Sequence, residues 1–436
     1  TAGARQGQRL RAVPLERRID YFIGSGQVGR SYLIFRNGYL FQSPAAWFTK
    51  RSKWDFSPGY EQDEDPAFSR PVTPECLFCH AGSPRPIRGT QNRYEDPPFG
   101  VESISCERCH GDADAHIRAP SRANIVNPAK LPASARDSVC EQCHLSGEAR
   151  ILNPGKQLDD FQPGQPLEDV ITVYVREAAG KGFRVVSHVE QLAQSACAQE
   201  SGGRMWCGTC HDPHQRPVDR VSFYREKCLS CHADVPASNH PKPLDDCAGC
   251  HMFRRKTDDG AHTVFTDHLI RTNASRAQES GKPSQRLRPW RPPAPGIAQR
   301  NLGLAYIGAG ERDQSVWQLE EGFRLLSGVQ KQFSADPEVV TALGLVLLKK
   351  NVPAEATKLF EWARRLRPGE AWRGSNLAAA LAASGQQQRA VTILEETLER
   401  DPSLEEAWRL LSELIEPAER RRLVERYRKL APQAQP

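Results

Sequence analysis

Methionine is nearly missing from this chain: Met205 and Met252 are the two examples in 436 residues. No initiator methionine precedes Thr1-Ala2-Gly3, and no apolar leader follows it, so the chain reads as a mature protein whose secretion signal has been removed. Long hydrophobic runs are also lacking. Nothing approaches the ~18 consecutive apolar residues of a membrane span, which excludes a transmembrane anchor. Excess charge is small, +6 from 59 Lys and Arg against 53 Asp and Glu. Cysteine and histidine stop altogether at His268, so the chemistry they carry ends far from the C-terminus.

What the chain does have is one pattern six times over. Cys-x-x-Cys-His occurs at Cys76, Cys79 and His80; Cys106, Cys109 and His110; Cys140, Cys143 and His144; Cys207, Cys210 and His211; Cys228, Cys231 and His232; and Cys247, Cys250 and His251. This is the covalent attachment signal of c-type haem, in which two thiols tether one porphyrin and the adjacent His becomes the proximal iron ligand. Zinc sites also use paired cysteines, but give no reason for His to follow every pair. A disulfide framework has no material to work with. The motifs consume 12 of 13 cysteines and leave Cys197 alone.

The histidine count extends the reading. Beyond the six proximal residues stand His116, His188, His214, His240, His262 and His268, one for each expected iron. That equality points to six haem c groups with a second, distal His on each iron. For any single spare His the alternative is a solvated or core imidazole. Methionine is a poor substitute, since Met252 directly follows His251 and cannot cross the ring. His214 lies three residues after His211 and His116 six after His110, too close to reach around the neighbouring porphyrin, so each should serve a different haem. Motif starts 30, 34, 67, 21 and 19 residues apart then imply a near-continuous chain of macrocycles.

Charge supports that reading and excludes another. Six haems add about twelve propionates, offset by about one positive charge per ferric porphyrin, so the mild basicity is not a nucleic-acid footprint. Arg108, Arg118 and Arg254 lie close to motifs and are candidates to pair with propionates, or are simply solvated. Haem attachment of this kind places the protein outside the cytoplasm, in the periplasm or beyond the cell.

Four regions follow from composition. Residues 1–70 hold a β-hairpin, Ser31–Arg36 and Tyr39–Phe41 around Asn37-Gly38, a pair that tolerates the positive φ of a type I′ turn. Trp47, Phe48 and Trp54 follow as an aromatic cluster for a porphyrin or a small core. Residues 71–281 form the haem region, poor in apolar periodicity, so the macrocycles must supply its interior. Short strands are expected at Leu167–Val175 and Phe183–Val189, with single helical turns after each motif. Residues 282–296, with Pro283, Pro289, Pro292, Pro293 and Pro295, read as a stiff linker. Residues 297–436 repeat: Leu343-Gly344, Leu347, Ala356, Phe360, Ala363 and Pro368 recur 34 residues later as Leu377-Ala378, Leu381, Ala390, Leu394 and Pro402. A looser copy starts at Leu302-Gly303 with Tyr306 and Gly310, and a partial one at Trp408 and Leu411. This is the tetratricopeptide pattern. The expected fold class is mostly α, with an irregular haem-packed core, a small N-terminal β-hairpin and a C-terminal α-solenoid.

Tyr21-Phe22-Ile23-Gly24-Ser25-Gly26, Cys106-Glu107-Arg108-Cys109-His110-Gly111, Cys207-Gly208-Thr209-Cys210-His211-Asp212-Pro213-His214 and Thr266-Asp267-His268 carry a family resemblance. Residues 20–275 resemble the multihaem cytochromes c that group the tetrahaem cytochrome of ammonia oxidisers with pentahaem nitrite reductase and hydroxylamine oxidoreductase, here in a lineage fused to tetratricopeptide repeats. The resemblance implies stacked and perpendicular haem pairs, bis-His ligation at most irons and electron transfer outside the cytoplasm. It also places Cys197 where similar proteins often carry a Cys, read as a buried inert thiol. Two departures set limits. No Cys-x-x-Cys-Lys motif, the mark of the active iron in the nitrite reductases, is present, and the His count leaves no obvious open iron. The leading expectation is therefore an electron carrier passing electrons to redox partner proteins, with self-association into an extracellular filament as its sharper form. The alternatives are an oxidoreductase with one open haem, acting on a small nitrogen or sulfur compound, and a scaffold whose repeats dock a redox partner.

Overall fold

A computed structural model describes residues 17–60, 69–178, 182–234, 245–260, 263–271 and 283–434. Its N-terminal part is a four-stranded antiparallel sheet in the order β1 (Tyr21–Ile23), β2 (Arg30–Arg36), β3 (Tyr39–Phe48) and β4 (Lys53–Phe56). The expected hairpin joins β2 to β3, with Asn37 at φ 49° and Gly38 at φ 84°, the two positive values that its turn demands. Trp54 packs on Tyr32 and Trp47 at ring distances of 5.3 and 5.5 Å, while Phe48 is buried.

This sheet is not a separate cap. Leu33 and Leu40 share one core with Val72, Leu77, Tyr94 and Phe99, and Leu77 lies inside the first attachment motif. Phe41 bridges to Pro71 and Tyr39 to Arg93, so the backbone crosses the expected boundary at residue 70 as sheet. β5 (Ser83–Pro86) and β6 (Tyr94–Val101) form the hairpin that closes this lobe.

In the haem region every motif lies on or at the end of a helix. Short helices run over Pro74–His80, Glu107–His110, Ala133–His144, Cys207–Cys210, Arg220–Leu229 and Cys247–His251. A helical turn beyond a motif occurs at Asp114–Arg118 after the second one; among the described residues the other motifs are not followed in this way. Between motifs three and four, β7 (Ala149–Leu152) pairs with β8 (Ile171–Arg176). The strand expected from Leu167 thus begins four residues later, because Leu167–Asp169 makes a 3-10 turn. The strand expected at Phe183–Val189 does not form. Backbone N–H groups there go to Asp258 and Asp259 side chains, and His188 opens a helix that runs to Leu192. β9 (Arg254–Lys256) and β10 (Val264–Thr266) make a small antiparallel pair.

The proline-rich segment also differs from a free linker. Leu287–Pro289 is β11, an edge strand on β8, where Pro289 needs no N–H partner. Eight helices follow, from Pro295–Asp313 to Pro417–Leu430, consecutive ones packed together. Small residues set their spacing: a Cβ on Gly344 would meet the Phe360 ring at 2.8 Å. Ala356, Phe360, Leu377, Leu381, Ala390, Leu394, Trp408 and Leu411 form one continuous core.

The helical unit is braced against the haem region. Buried Arg300 donates to the Leu152 carbonyl at 2.7 Å and to Asp336 at 2.9 Å, and Asn301 donates to Asn153 and Thr172 at 2.8 and 2.9 Å. Arg176 pairs with Asp313 at 2.5 Å, and Arg312 with Glu148 at 2.9 Å. On the other side, Gln91 donates its backbone N–H to Asp401 at 3.0 Å, and Ala371 donates to the Gly89 carbonyl at 3.2 Å.

Candidate haem sites

A single helical turn explains why each motif presents its three groups together. Residues i, i+3 and i+4 of a helix share one face, so both thiols and the imidazole point the same way. The turn is closed by backbone bonds from His110 to Cys106 and His211 to Cys207, both 2.9 Å, and from His232 to Cys228 at 3.0 Å. In the sixth motif Asp246 caps the helix through the Gly249 N–H at 2.8 Å. None of the 13 thiols is in a disulfide, and Cys197 is half-buried rather than fully enclosed.

The imidazoles supply a direct test of whether these residues fit haem iron. Nδ1 of His110 lies 2.6 Å from the Val126 carbonyl, and Nδ1 of His251 lies 2.5 Å from the Arg271 carbonyl. His116 faces the Ser121 carbonyl and Asn124 Oδ1, both at 3.1 Å, and His268 faces the Thr266 carbonyl at 3.1 Å. His211 faces the Tyr224 hydroxyl at 3.2 Å. A carbonyl that accepts a hydrogen bond from Nδ1–H favours that tautomer and leaves the Nε2 lone pair for a metal. The fit is good.

Ring positions bring motifs together in pairs. His110 and His214 stand 5.8 Å apart at 25°, His211 and His268 6.1 Å apart at 37°, and His144 and His188 5.3 Å apart at 86°. Two imidazoles on opposite sides of one metal, each nitrogen ~2 Å from it and each ring centre ~1 Å further, are separated by about 6 Å. The three pairs lie near that value. His214, three residues beyond His211, faces the iron-ligand position of the second motif, and not its own. His188 also lies 4.6 Å from His268, and burial pushes it down to about 3, helped by neighbouring His268, His144 and His211. Its Nδ1 is buried without a hydrogen-bond partner. His240 and His262 lie outside the described residues. For His80, His116 and His232 no facing imidazole is seen among the described residues.

The third motif sits at the centre. Cys79 Sγ of the first motif donates to the carbonyl of Gln142, between its two cysteines, at 3.6 Å, and its Cys140 thiol lies beside Cys207 of the fourth, whose proximity with burial pushes the Cys140 thiol up. Gln142 donates to the Arg108 carbonyl of the second motif at 2.8 Å. Motifs five and six are also neighbours: burial first, and then the nearby Cys247 thiol, push the Cys228 thiol up. Of the three arginines, Arg108 stacks over Phe78 at 4.6 Å and donates to its carbonyl at 2.5 Å, with Nε buried and unpartnered. Arg118 pairs with Asp114 at 3.7 Å, and Arg254 lies exposed on β9.

Several participants gave no sequence signal. Tyr224 and the carbonyls of Val126 and Arg271 orient imidazoles 13 to 20 residues away. Glu141, between the two cysteines of the third motif, is 2% exposed and takes two bonds from Arg291 and one from Trp290. Burial pushes its carboxyl up, and the Arg291 bonds pull against that.

Among the described residues no helix is long and apolar enough to cross a membrane. The family model described as cytochrome c554 and c-prime matches residues 45–111. The chain is 24% identical over 206 residues to a protein described as multiheme cytochrome MtrA, from Shewanella baltica (strain OS185). That match takes in 42% of this chain and spans 62% of the relative's length. Among solved structures, a mutant O-GlcNAc transferase from Thermobaculum terrenum is 25% identical, with 31% of this chain and 27% of that one covered and a TM-score of 0.28. The second TPR domain of human RPAP3 is 16% identical, with 27% and 97% covered and a TM-score of 0.25.

Proposed function

We propose that this chain is a multihaem c-type cytochrome holding six haems whose bis-His irons form an electron-conducting relay outside the cytoplasm. Bound haem supplies one-electron chemistry at iron. The residues supply position. Cys76 and Cys79, Cys106 and Cys109, Cys140 and Cys143, Cys207 and Cys210, Cys228 and Cys231, and Cys247 and Cys250 would tether the macrocycles, with the following His as proximal ligand. His214 would ligate opposite His110, His268 opposite His211, and His188 opposite His144. His116 has its Nδ1 anchored and Nε2 available for a further iron; His240 and His262 complete the expected set.

The observation that carries this reading is the three cross-motif imidazole pairs at 5.3–6.1 Å. A residue string that ligates two different irons fixes neighbouring centres at short range, which suits a conduit. Residues 297–436 read as a tetratricopeptide solenoid on their 34-residue period, with one continuous core from Ala356 to Leu411.

Mass analysis of the purified protein should find six covalent haems, and its resting spectrum should be wholly low-spin. Fewer haems would remove the reading; a high-spin iron that binds nitric oxide or cyanide would favour the oxidoreductase instead. Polymerisation is a separate question. Imaging should show filaments if subunits join end to end, and dispersed monomers with six six-coordinate irons would exclude that form.

A further inference from the structure

Among the described residues, the third motif is the only one of the six whose intervening residues hold a carboxylate against a cation from the proline-rich segment beyond the haem region. Glu141 sits between Cys140 and Cys143, so its carboxylate rides on the same helical turn as the two thiols that would tether the porphyrin. It is 2% exposed. Arg291 grips it with both nitrogens, at 2.5 and 2.7 Å, and Trp290 Nε1 donates at 3.1 Å. Arg291 in turn lies 3.5 Å from Glu168, which accepts from Ser134 at the start of the same motif helix. The grip is rigid. Trp290 donates its backbone N–H to the Val173 carbonyl at 2.8 Å, continuing the pairing of β11, and packs its ring in the cluster that holds Phe78 and Leu145. Helix Pro295–Asp313 begins four residues after Arg291.

We propose that Arg291 sets the reduction potential of the haem held by Cys140, Cys143 and His144, by neutralising the buried Glu141 carboxylate. An unpaired carboxylate beside the macrocycle stabilises the ferric state, and an unpaired guanidinium stabilises the ferrous one. The bidentate pair holds the site between these limits. Because this motif touches the first, second and fourth, its potential governs passage along the whole relay. The segment that opens the helical repeats is thereby an electrostatic part of the haem region; Arg291 is a positioning residue that acts through Glu141.

The inference rests on the haem reading above, and the test separates the two. The full-length protein and its variants are purified with haem, counted by mass and titrated potentiometrically against a set of one-electron components. Glu141→Gln should raise one component so that its ferrous-to-ferric ratio at fixed poise grows about tenfold, ~59 mV, with the others nearly unmoved. Glu141→Gln combined with Arg291→Gln should return it towards the wild-type value, and Arg291→Lys should leave it there. A wild-type protein without haem on the third motif defeats the haem reading itself. In a protein that carries that haem, the inference is overturned if no component moves, if single and double variants move alike, or if Glu141→Gln sheds the third haem, which would make the pair a structural brace.

Discussion

The haem region and the helical repeats make their interiors from different material. From residue 196 to residue 256, among the described residues, not one side chain is buried, although three attachment motifs lie there. Val218 and Val221 stand exposed next to motifs four and five. In the repeats, Ala356, Phe360, Leu381, Ala390 and Leu394 are each at most 1% exposed. The same chain therefore contains a part whose fold is written in its side chains and a part that buries almost none of its own, for which the proposed haems would supply the interior. Conformational entropy is the reason: a segment that buries little apolar surface of its own cannot offset the cost of ordering it.

The largest effect that could break this contrast is removal of all haem. Chain produced without haem attachment should lose protease protection across residues 196–256, while the far-UV helical signal of residues 297–434 persists. A haem-free chain protected throughout would end the distinction. Next in size is a cavity in the self-sufficient part. Phe360→Ala should destabilise the repeats by ~3–5 kcal/mol in denaturant titration, with the haem count unchanged.

A smaller and more local change sharpens the other side. His214→Ala should convert one iron to a high-spin form, visible in electron paramagnetic resonance, and leave unfolding of the repeats where it was. If the spectrum stays wholly low-spin, the pairing of His110 with His214 is not a ligand pair. The smallest effect lies at the seam. The Asp313 carboxyl is held below its ordinary range: burial opposes its charge, but hydrogen bonds from Arg176 and Arg312 outweigh burial. The sign follows from a lowered folded value. Its contribution, about 1 kcal/mol or less, is fully present above the ordinary carboxylate pKa of ~3.9 and is lost as pH falls through the lowered one. Asp313→Asn should flatten that part of the acid-unfolding curve.

Local features were readable from the chain before the fold was known. Cys-x-x-Cys-His needs one helical turn, Asn37-Gly38 needs one tight hairpin, and Leu343-Gly344 with Phe360 needs one helix pair; each is complete within a few dozen residues. Partnership was not readable. His214 could be predicted to serve some other motif, because three residues cannot span a porphyrin, but nothing in its spacing pointed to His110. The bond from Arg291 to Glu141 closes 150 residues of sequence and obeys no local period. The proline run misled for a related reason: proline forbids a central strand, yet an edge strand accepts Pro289, and the edge was created by β8 more than a hundred residues earlier. The cap boundary at residue 70 fell on a change in composition, whereas the core containing Leu40, Leu77 and Tyr94 ignores it.

Only two residues, Asp212 and Pro213, separate His211 from His214, and these two imidazoles face His268 and His110 respectively. A peptide of that length spans at most ~10 Å, so flexing of the molecule cannot pull the two positions apart. Under the proposed ligation, the gap an electron must tunnel between those centres is fixed by bond lengths rather than by thermal breathing. Transfer across it should then be indifferent to solvent viscosity, and any viscosity-sensitive step would lie where a partner arrives.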